Sequence, residues 1–266
     1  MTTIRVEQSG SFWRKFTPLF GAGLVGIAAA APLIAGQIRG LIGDKLVSAP
    51  PLPVIVGVAL AQTTAIMGVA VAAGIALAPR LGLRSHLMEK GASGTPLLPA
   101  LRAEIPTSVA GGVVAFGLIT GLDQLFKPFM LEAWQALGAV VSHTDVASIA
   151  GGLFYGGIVE ELLLRWGVMT VLVWTGWLVI QGGTGTPRPA IMWGAIVLAT
   201  LLFGALHLPF TATITSLTPV IVARALLLNG IVGVVFGWLY WRKSLEAAML
   251  SHMTFHICAT IVALVA

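Results

Sequence analysis

Two adjacent glutamates and an arginine lie in a stretch of the sequence that is otherwise uncharged. Glu160, Glu161 and Arg165 are the only charged side chains between residues 146 and 180. On a helix, Glu161 and Arg165 lie on one face with the glutamate first, which is the favoured order for an ion pair. Glu160 lies about 100° further round the helix and has no local partner. An unpaired carboxylate in an apolar site is a candidate proton acceptor.

Three histidines in later apolar stretches, His207, His252 and His256, could act together with Glu160. In one chemistry, Glu160 is a general base that activates water, and the histidines orient the water or donate to the oxyanion of a peptide carbonyl. In the other, histidines and a glutamate bind Zn²⁺, which activates its own water. A histidine in a membrane helix also serves simply as a hydrogen-bond partner between helices, so this structural interpretation stays open.

The composition restricts the class of protein that can carry these residues. Of the 266 residues, 57% are hydrophobic and 9% are charged, and the mean hydropathy is +0.96. Long apolar runs predict an all-α, polytopic transmembrane helical bundle. The net charge is +5, and the lysines and arginines lie mainly between the apolar runs, where they set the orientation of the spans in the membrane. We therefore expect the protein to contact membrane lipid and not nucleic acid.

Seven membrane spans are predicted, and the fourth is unusually long. As an α-helix, the fourth span would be longer than the thickness of a hydrocarbon core, about 30 Å. It must therefore tilt, project from the membrane or break, and the expected break is at Gly151–Gly152. A division there would give eight spans. We interpret residues 1–145 as N-terminal spans with an interfacial segment, 123–145, and residues 146–266 as a catalytic helical core. The predicted spans are 17–36, 54–79, 105–122, 146–180, 190–208, 219–241 and 245–266.

The distribution of lysine and arginine predicts the orientation of these seven spans. Ten of the fifteen such residues fall in segments that share a side with the N-terminus, and three fall on the other side. Positively charged loops remain in the cytoplasm, so we expect a cytoplasmic N-terminus. The ten are Arg5, Arg14, Lys15, Arg80, Arg84, Lys90, Arg102, Arg188, Arg242 and Lys243; the three are Arg39, Lys45 and Lys127.

Three short motifs make residues 150–260 resemble a known family. Glu160–Arg165 matches E-E-x-x-x-R, Phe203–His207 matches F-x-x-x-H, and His252 begins a third motif, H-x-x-x-N or D. The motifs occur in this order and in separate predicted spans. The sequence is therefore identified as similar to the CPBP family of intramembrane proteases, the CAAX protease and bacteriocin-processing family, also called Abi.

The resemblance implies a role for each residue of the motifs. Glu160 would activate water with the help of His207, while Glu161 and Arg165 would support the site. His252 and residue 256 would hold the oxyanion. Position 256 departs from the family pattern, because His256 stands where asparagine or aspartate is expected. A neutral imidazole still donates one hydrogen bond, although it is also a better zinc ligand than an amide.

The expected function is that of an intramembrane endopeptidase that cuts a membrane-associated protein or peptide without a cofactor. A zinc-dependent version would use Glu160, His207, His252 and His256 as ligands. A proton-coupled transporter, or a catalytically silent immunity or scaffold protein of the same fold, would also be consistent with these residues. The resemblance further implies a bacterial inner membrane, but neither the substrate nor the oligomeric state follows from the sequence.

This interpretation requires the three motifs to meet at one depth in the membrane. We expect spans four to seven to enclose a polar site and spans one to three to lie outside it, because ionisable residues avoid lipid. His207 lies near the end of the predicted fifth span. It can reach Glu160 only if that boundary is wrong or if residues 209–218 return into the protein.

Overall fold

The computed structural model describes residues 12–43, 50–141 and 145–265, and its regular elements are all helical. Short 3₁₀ turns follow α2 and α4, at Ala78–Leu81 and Lys127–Phe129. The helices are α1 (Phe12–Ile42), α2 (Leu52–Leu77), α3 (His86–Ser93), α4 (Leu97–Phe126), α5 (Leu131–Val141), α6 (Val146–Gln181), α7 (Pro189–Leu206), α8 (Leu208–Ile214), α9 (Pro219–Arg242) and α10 (Leu245–Val265).

Seven helical segments in the described residues are long and apolar enough to cross a membrane, which confirms the predicted fold class. They are α1, α2, α4, α6, α7 with α8, α9 and α10. The fourth predicted span is therefore not divided into two, which would have given eight spans. Residues 80–104, between the second and third predicted spans, instead contain α3 and the start of α4. The helix of the third span therefore includes Arg102 and Glu104, which the predicted span, 105–122, left out. His143, in the predicted interfacial segment, lies outside the described residues.

The sequence predicted a break at Gly151–Gly152, and this prediction was wrong. Helix α6 is continuous there and changes only its hydrogen-bonding pattern. Residues Gly151–Glu160 and Leu162–Met169 are π-helical, between α-helical ends. A π-helix has more residues in each turn than an α-helix, since its bonds run from i to i+5. The 36 residues of α6 therefore span less length than an α-helix would. Such segments commonly occur at functional sites.

The fifth apolar segment continues past His207 after a sharp interruption. Helix α7 ends at Leu206 and α8 begins at Leu208, so His207 is the residue that joins them. Pro209 explains the interruption, because its ring clashes with the carbonyl of residue i−4 and it lacks an N–H group. The apolar segment thus extends over Pro189–Ile214, and the predicted boundary at residue 208 was wrong. His207 consequently lies within the segment and not at its end.

Glycines allow several helix pairs to approach closely. A Cβ atom built on Gly112 of α4 would lie 2.4 Å from the carbonyl oxygen of Ser251 in α10. On α1, a Cβ at Gly26 would lie 2.6 Å from the carbonyl oxygen of Phe154 in α6. Small residues are used in this way at helix interfaces in membranes. Helices α1 and α4 therefore pack directly on the two helices that carry the glutamates and the last histidines.

Polar ties at the two ends of the bundle were not predicted from the sequence. Glu246, at the start of α10, accepts hydrogen bonds from the Ser85 hydroxyl and from the amides of His86 and Leu87, and so caps α3. At the opposite end, Arg224 of α9 donates to both carboxylate oxygens of Asp123 in α4, at 2.6 and 2.9 Å. Each tie joins elements that are far apart in sequence, so a local pattern does not reveal it.

The contact of α4 with α10 predicts the effect of adding a methyl group at Gly112. Gly112→Ala should lower the free energy of unfolding by about 1–3 kcal/mol, since the methyl would overlap backbone atoms of α10. Gly117→Ala on the same helix is the matched control, because a Cβ there meets nothing within 4 Å. Thermal unfolding in detergent measures both variants. Equal melting temperatures would contradict this account of the helix contact.

Candidate active site

A buried carboxylate joins the glutamate motif to the last histidine motif. Oxygen Oε1 of Glu161 accepts a hydrogen bond from the Arg165 guanidinium at 2.9 Å, and Nδ1 of His252 lies 2.8 Å from the same oxygen. The Glu161 side chain has no exposed surface, and that of Arg165 is 3% exposed. The predicted ion pair between Glu161 and Arg165 is therefore present. The ion pair joins two successive turns of α6, and Glu161 also connects α6 to α10 through His252.

Arg165 has further contacts that compensate its buried charge. Its second terminal nitrogen donates to the carbonyl oxygen of Gly233 in α9 at 3.3 Å. The guanidinium carbon lies 5.5 Å from the ring centres of both Phe203 and Phe236. Aromatic faces attract a cation electrostatically. Arg165 therefore brings together α6, α7 and α9, and Phe203, the first residue of the second motif, directly contacts the first motif.

The partners of His252 determine which of its nitrogens carries a proton. An arginine N–H only donates, so Glu161 Oε1 acts as an acceptor, and the nearby Nδ1 of His252 is assigned as a second donor. In the neutral ring, Nε2 then carries a lone pair. This nitrogen faces Glu160, whose Oε2 lies 3.9 Å away. Two proton acceptors thus approach each other at a distance too long for a direct hydrogen bond.

Glu160 and Glu161 are neighbours in sequence but have different surroundings. The Glu160 side chain is 20% exposed, whereas that of Glu161 is fully buried. Among the described residues, Glu160 has no arginine or lysine within ion-pair distance, and His252 is the basic side chain within 4 Å of it. The expectation of a carboxylate without a local cationic partner, next to an ion pair, agrees with this geometry.

His256 stacks on His252 and fits against glycines of α6. The two imidazole rings lie 5.0 Å apart at an angle of 17°. A Cβ atom at Gly152 would lie 2.7 Å from Nδ1 of His256, and one at Gly156 would lie 2.7 Å from its Nε2. These glycines therefore provide the space that the imidazole occupies. Sequence reasoning missed them as site residues, although their four-residue spacing is typical of close helix contacts.

His207 approaches the site through Phe203. Its Nδ1 lies 2.8 Å from the carbonyl oxygen of Phe203, and its ring meets the Phe203 ring edge to face at 4.5 Å. A carbonyl oxygen only accepts, so Nδ1 carries the proton and Nε2 of the neutral ring is an acceptor. Because Phe203 also contacts Arg165, His207 lies one residue away from the buried ion pair.

Zinc binding requires donor atoms that converge on one point. His252 and His256 are nearly parallel, so the lone pairs in their ring planes do not converge on one point. Nδ1 of His252 faces Glu161, and Nδ1 of His207 faces a carbonyl oxygen, which leaves Nε2 of each ring free, as it is in metal-ligating histidines. In the described part of the chain, no three histidine, cysteine, aspartate or glutamate side chains are arranged to hold a metal.

Comparison with known proteins agrees with the order of the motifs. Residues 141–258 match the family described as Rce1-like, type II CAAX prenyl endopeptidase Rce1-like. This range contains the two glutamates, Arg165 and all three histidines of the site. No curated protein and no solved structure matches the chain.

The buried ion pair predicts a strong effect of removing Arg165. Arg165→Ala should destabilise the protein by about 3–5 kcal/mol, because it leaves Glu161 buried without a cation. Purified yield and thermal unfolding in detergent are the measurements. Arg188→Ala removes an exposed arginine outside the membrane segments and should change neither. Normal stability of Arg165→Ala would exclude a structural role for the pair.

Proposed function

We propose, from the match of residues 141–258 to the Rce1-like CAAX protease family, that this chain is an intramembrane endopeptidase that works by glutamate-activated water. The proposed substrate is a peptide bond of a membrane-associated protein or peptide. The family name refers to prenylated CAAX proteins, and no described residue favours or excludes a prenyl group in the substrate of this chain. The proposed location is a bacterial inner membrane, with the N-terminus in the cytoplasm.

The observation that carries this proposal is the distance of 3.9 Å between Glu160 Oε2 and His252 Nε2. Both atoms are acceptors when the carboxylate is ionised and the ring is neutral. A water molecule can donate one hydrogen to each of them, which leaves its oxygen lone pairs free to attack a carbonyl carbon. The partial exposure of Glu160 is consistent with access of water and substrate to this point.

Each bonding change in the reaction can be assigned to a group. As the water oxygen attacks the peptide carbonyl, Glu160 takes a proton and the carbonyl oxygen becomes an oxyanion. The bond to the leaving nitrogen then breaks, and the proton held by Glu160 passes to that nitrogen. Glu160 thereby returns to its ionised form, and no covalent enzyme intermediate is required.

The geometry supports a role for His252 that differs from the one the family resemblance implied. With Nδ1–H directed to Glu161, the neutral ring of His252 has no proton left to donate to an oxyanion. We propose that His252 orients the water through Nε2 and that Glu161, held by Arg165, sets this tautomer. His256 has no assigned acceptor for its N–H and is therefore the proposed oxyanion donor. His207 supports the site from the side of Phe203.

Substitution of Glu160 tests the proposal directly. Glu160→Gln preserves the shape of the side chain and removes the basic lone pair, so turnover should be abolished while the protein remains folded. His207→Ala and His252→Ala should each lower kcat by on the order of 10²–10³. Cleavage of a membrane peptide library and thermal unfolding provide the measurements. Glu132→Gln, which changes an exposed glutamate of α5, is the matched control.

The outcome also distinguishes the competing functions. Wild-type cleavage by Glu160→Gln would contradict the protease mechanism. A folded wild type that cuts nothing, across the whole library, would favour a catalytically silent immunity or scaffold protein. Proton-driven uptake that depends on Glu160, without any cleavage, would favour a transporter.

Position 256 provides a separate test, because His256→Asn restores the family pattern. An asparagine amide donates hydrogen bonds but is a poor zinc ligand, so we expect His256→Asn to retain cleavage within about tenfold of wild type. His256→Ala, which removes the donor, should lose on the order of 10²–10³ in kcat. Loss of cleavage in His256→Asn with recovery on addition of Zn²⁺ would instead support a zinc-dependent protease.

A further inference from the structure

One end of the bundle carries many cations without acidic partners. This end, called the basic end here, comprises the starts of α1, α4 and α7, helix α3, and the junction of α9 with α10. Its elements are in contact: Gly91 of α3 packs on the carbonyl of Arg14, and the Leu245 amide donates to the carbonyl of Arg84 at 3.0 Å. The cations that have no ion-pair partner among the described residues are Arg14, Lys15, Arg80, Lys90, Arg102, Arg188, Arg242 and Lys243.

The acidic residues of the basic end are occupied by other contacts. Arg84 donates to both oxygens of Glu89, and this hydrogen bonding lowers the pKa of the Glu89 carboxyl. Glu104 accepts a short hydrogen bond from Ser244 and lies 3.2 Å from Nε2 of His86. Glu246 caps α3 from inside the protein. These three carboxylates are outnumbered by the lysine and arginine side chains of the basic end.

The opposite end of the bundle has no comparable excess of charge. Among the described residues it carries the cations Arg39 and Lys127 and the anions Glu132 and Asp145. The other charged residues described there, Asp123 and Arg224, pair with each other. The lysines and arginines of the basic end set the orientation of the spans. Their excess over the local carboxylates also makes this end suited to binding an external anion.

A tripeptide that occurs twice indicates which kind of anion. Trp–Arg–Lys stands at residues 13–15, at the start of α1, and again at residues 241–243, at the end of α9. Trp13 is 66% exposed, and the Arg242 guanidinium lies 5.4 Å from the Trp241 ring centre. Tryptophan concentrates at the level of lipid head groups. Each tripeptide thus places two cations beside a residue suited to the membrane interface.

We propose that the basic end binds anionic phospholipid head groups, with Arg14 and Lys15 at one contact and Arg242 and Lys243 at the other. The partner is a phosphodiester with a net negative charge that lies in the plane of the membrane. The cations reach the phosphate, while the adjacent tryptophans lie among the glycerol and upper acyl groups. Lys90, next to Gly91 on α3, adds a third cation near the first contact. This binding does not depend on the proposed protease activity.

The test uses purified full-length protein in neutral detergent, with phosphatidylglycerol or phosphatidylcholine added. Phosphatidylglycerol should raise the melting temperature and phosphatidylcholine should not. Two double variants, Arg14→Gln/Lys15→Gln and Arg242→Gln/Lys243→Gln, should each raise the half-maximal lipid concentration on the order of 25-fold, since each cation contributes roughly fivefold. Salt at 1 M, where the Debye length is about 3 Å, should weaken the binding.

The double variant Arg39→Gln/Lys127→Gln, at the opposite end, is the matched control and should respond to phosphatidylglycerol as wild type does. Melting temperatures without lipid identify any variant that fails to fold, and native mass spectrometry of the wild type then counts bound lipids. Three results would overturn the proposal: equal stabilisation by phosphatidylcholine, an equal loss in the control variant, or the same shift with glycerol 3-phosphate. The last would indicate a site for a soluble anion.

Discussion

The Glu161 carboxylate is fully buried in a bundle of apolar helices, and its charge must be compensated there. An ion pair in such a place is favourable only when its geometry is good and further hydrogen bonds complete it. Arg165 meets both conditions through Glu161, the Gly233 carbonyl and two aromatic rings. His252 adds a contact to the same oxygen, Oε1, on the side of α10, whereas the buried Oε2 of Glu161 has no hydrogen-bond partner among the described residues. Because these contacts involve four helices, the relative positions of the three motifs depend on this one pair.

The adjacent glutamates divide two tasks that a single carboxylate could not perform. Glu161 is buried, paired and fixed, so it holds the orientation of His252. Glu160 is partly exposed and lacks a cationic partner among the described residues, so its lone pairs remain available for water. Glu160 is the last residue of a π-helical segment of α6, and glycines of the same segment leave space for the two stacked histidines. A helix of ordinary pattern with larger side chains would keep α10 further away.

Much of the fold could be predicted because the bilayer restricts which segments can cross it. The lengths of the apolar runs indicated seven spans. The cost of exposing ionisable residues to lipid predicted that the polar site lies within spans four to seven. The errors concern features that depend on partners. Helix α4 begins before Arg102 and Glu104, and the Glu104 carboxylate contacts Ser244 and His86, which are far from it in sequence or on another helix. The fourth span contains two π-helical segments, which hydropathy does not detect.

The sequence by itself determined the fold class, the seven spans and the residues of the three motifs, since burial of charge in a membrane is costly wherever it occurs. It also determined the pairing of Glu161 with Arg165, because residues four apart on a helix are neighbours. Only the tertiary structure decided which nitrogen of His252 faces Glu160 and which glycines make room for His256. Those properties arise from contacts between α6 and α10, about ninety residues apart in the chain. Local spacing does not show which helix lies against another, because packing of whole helices sets their distance and angle.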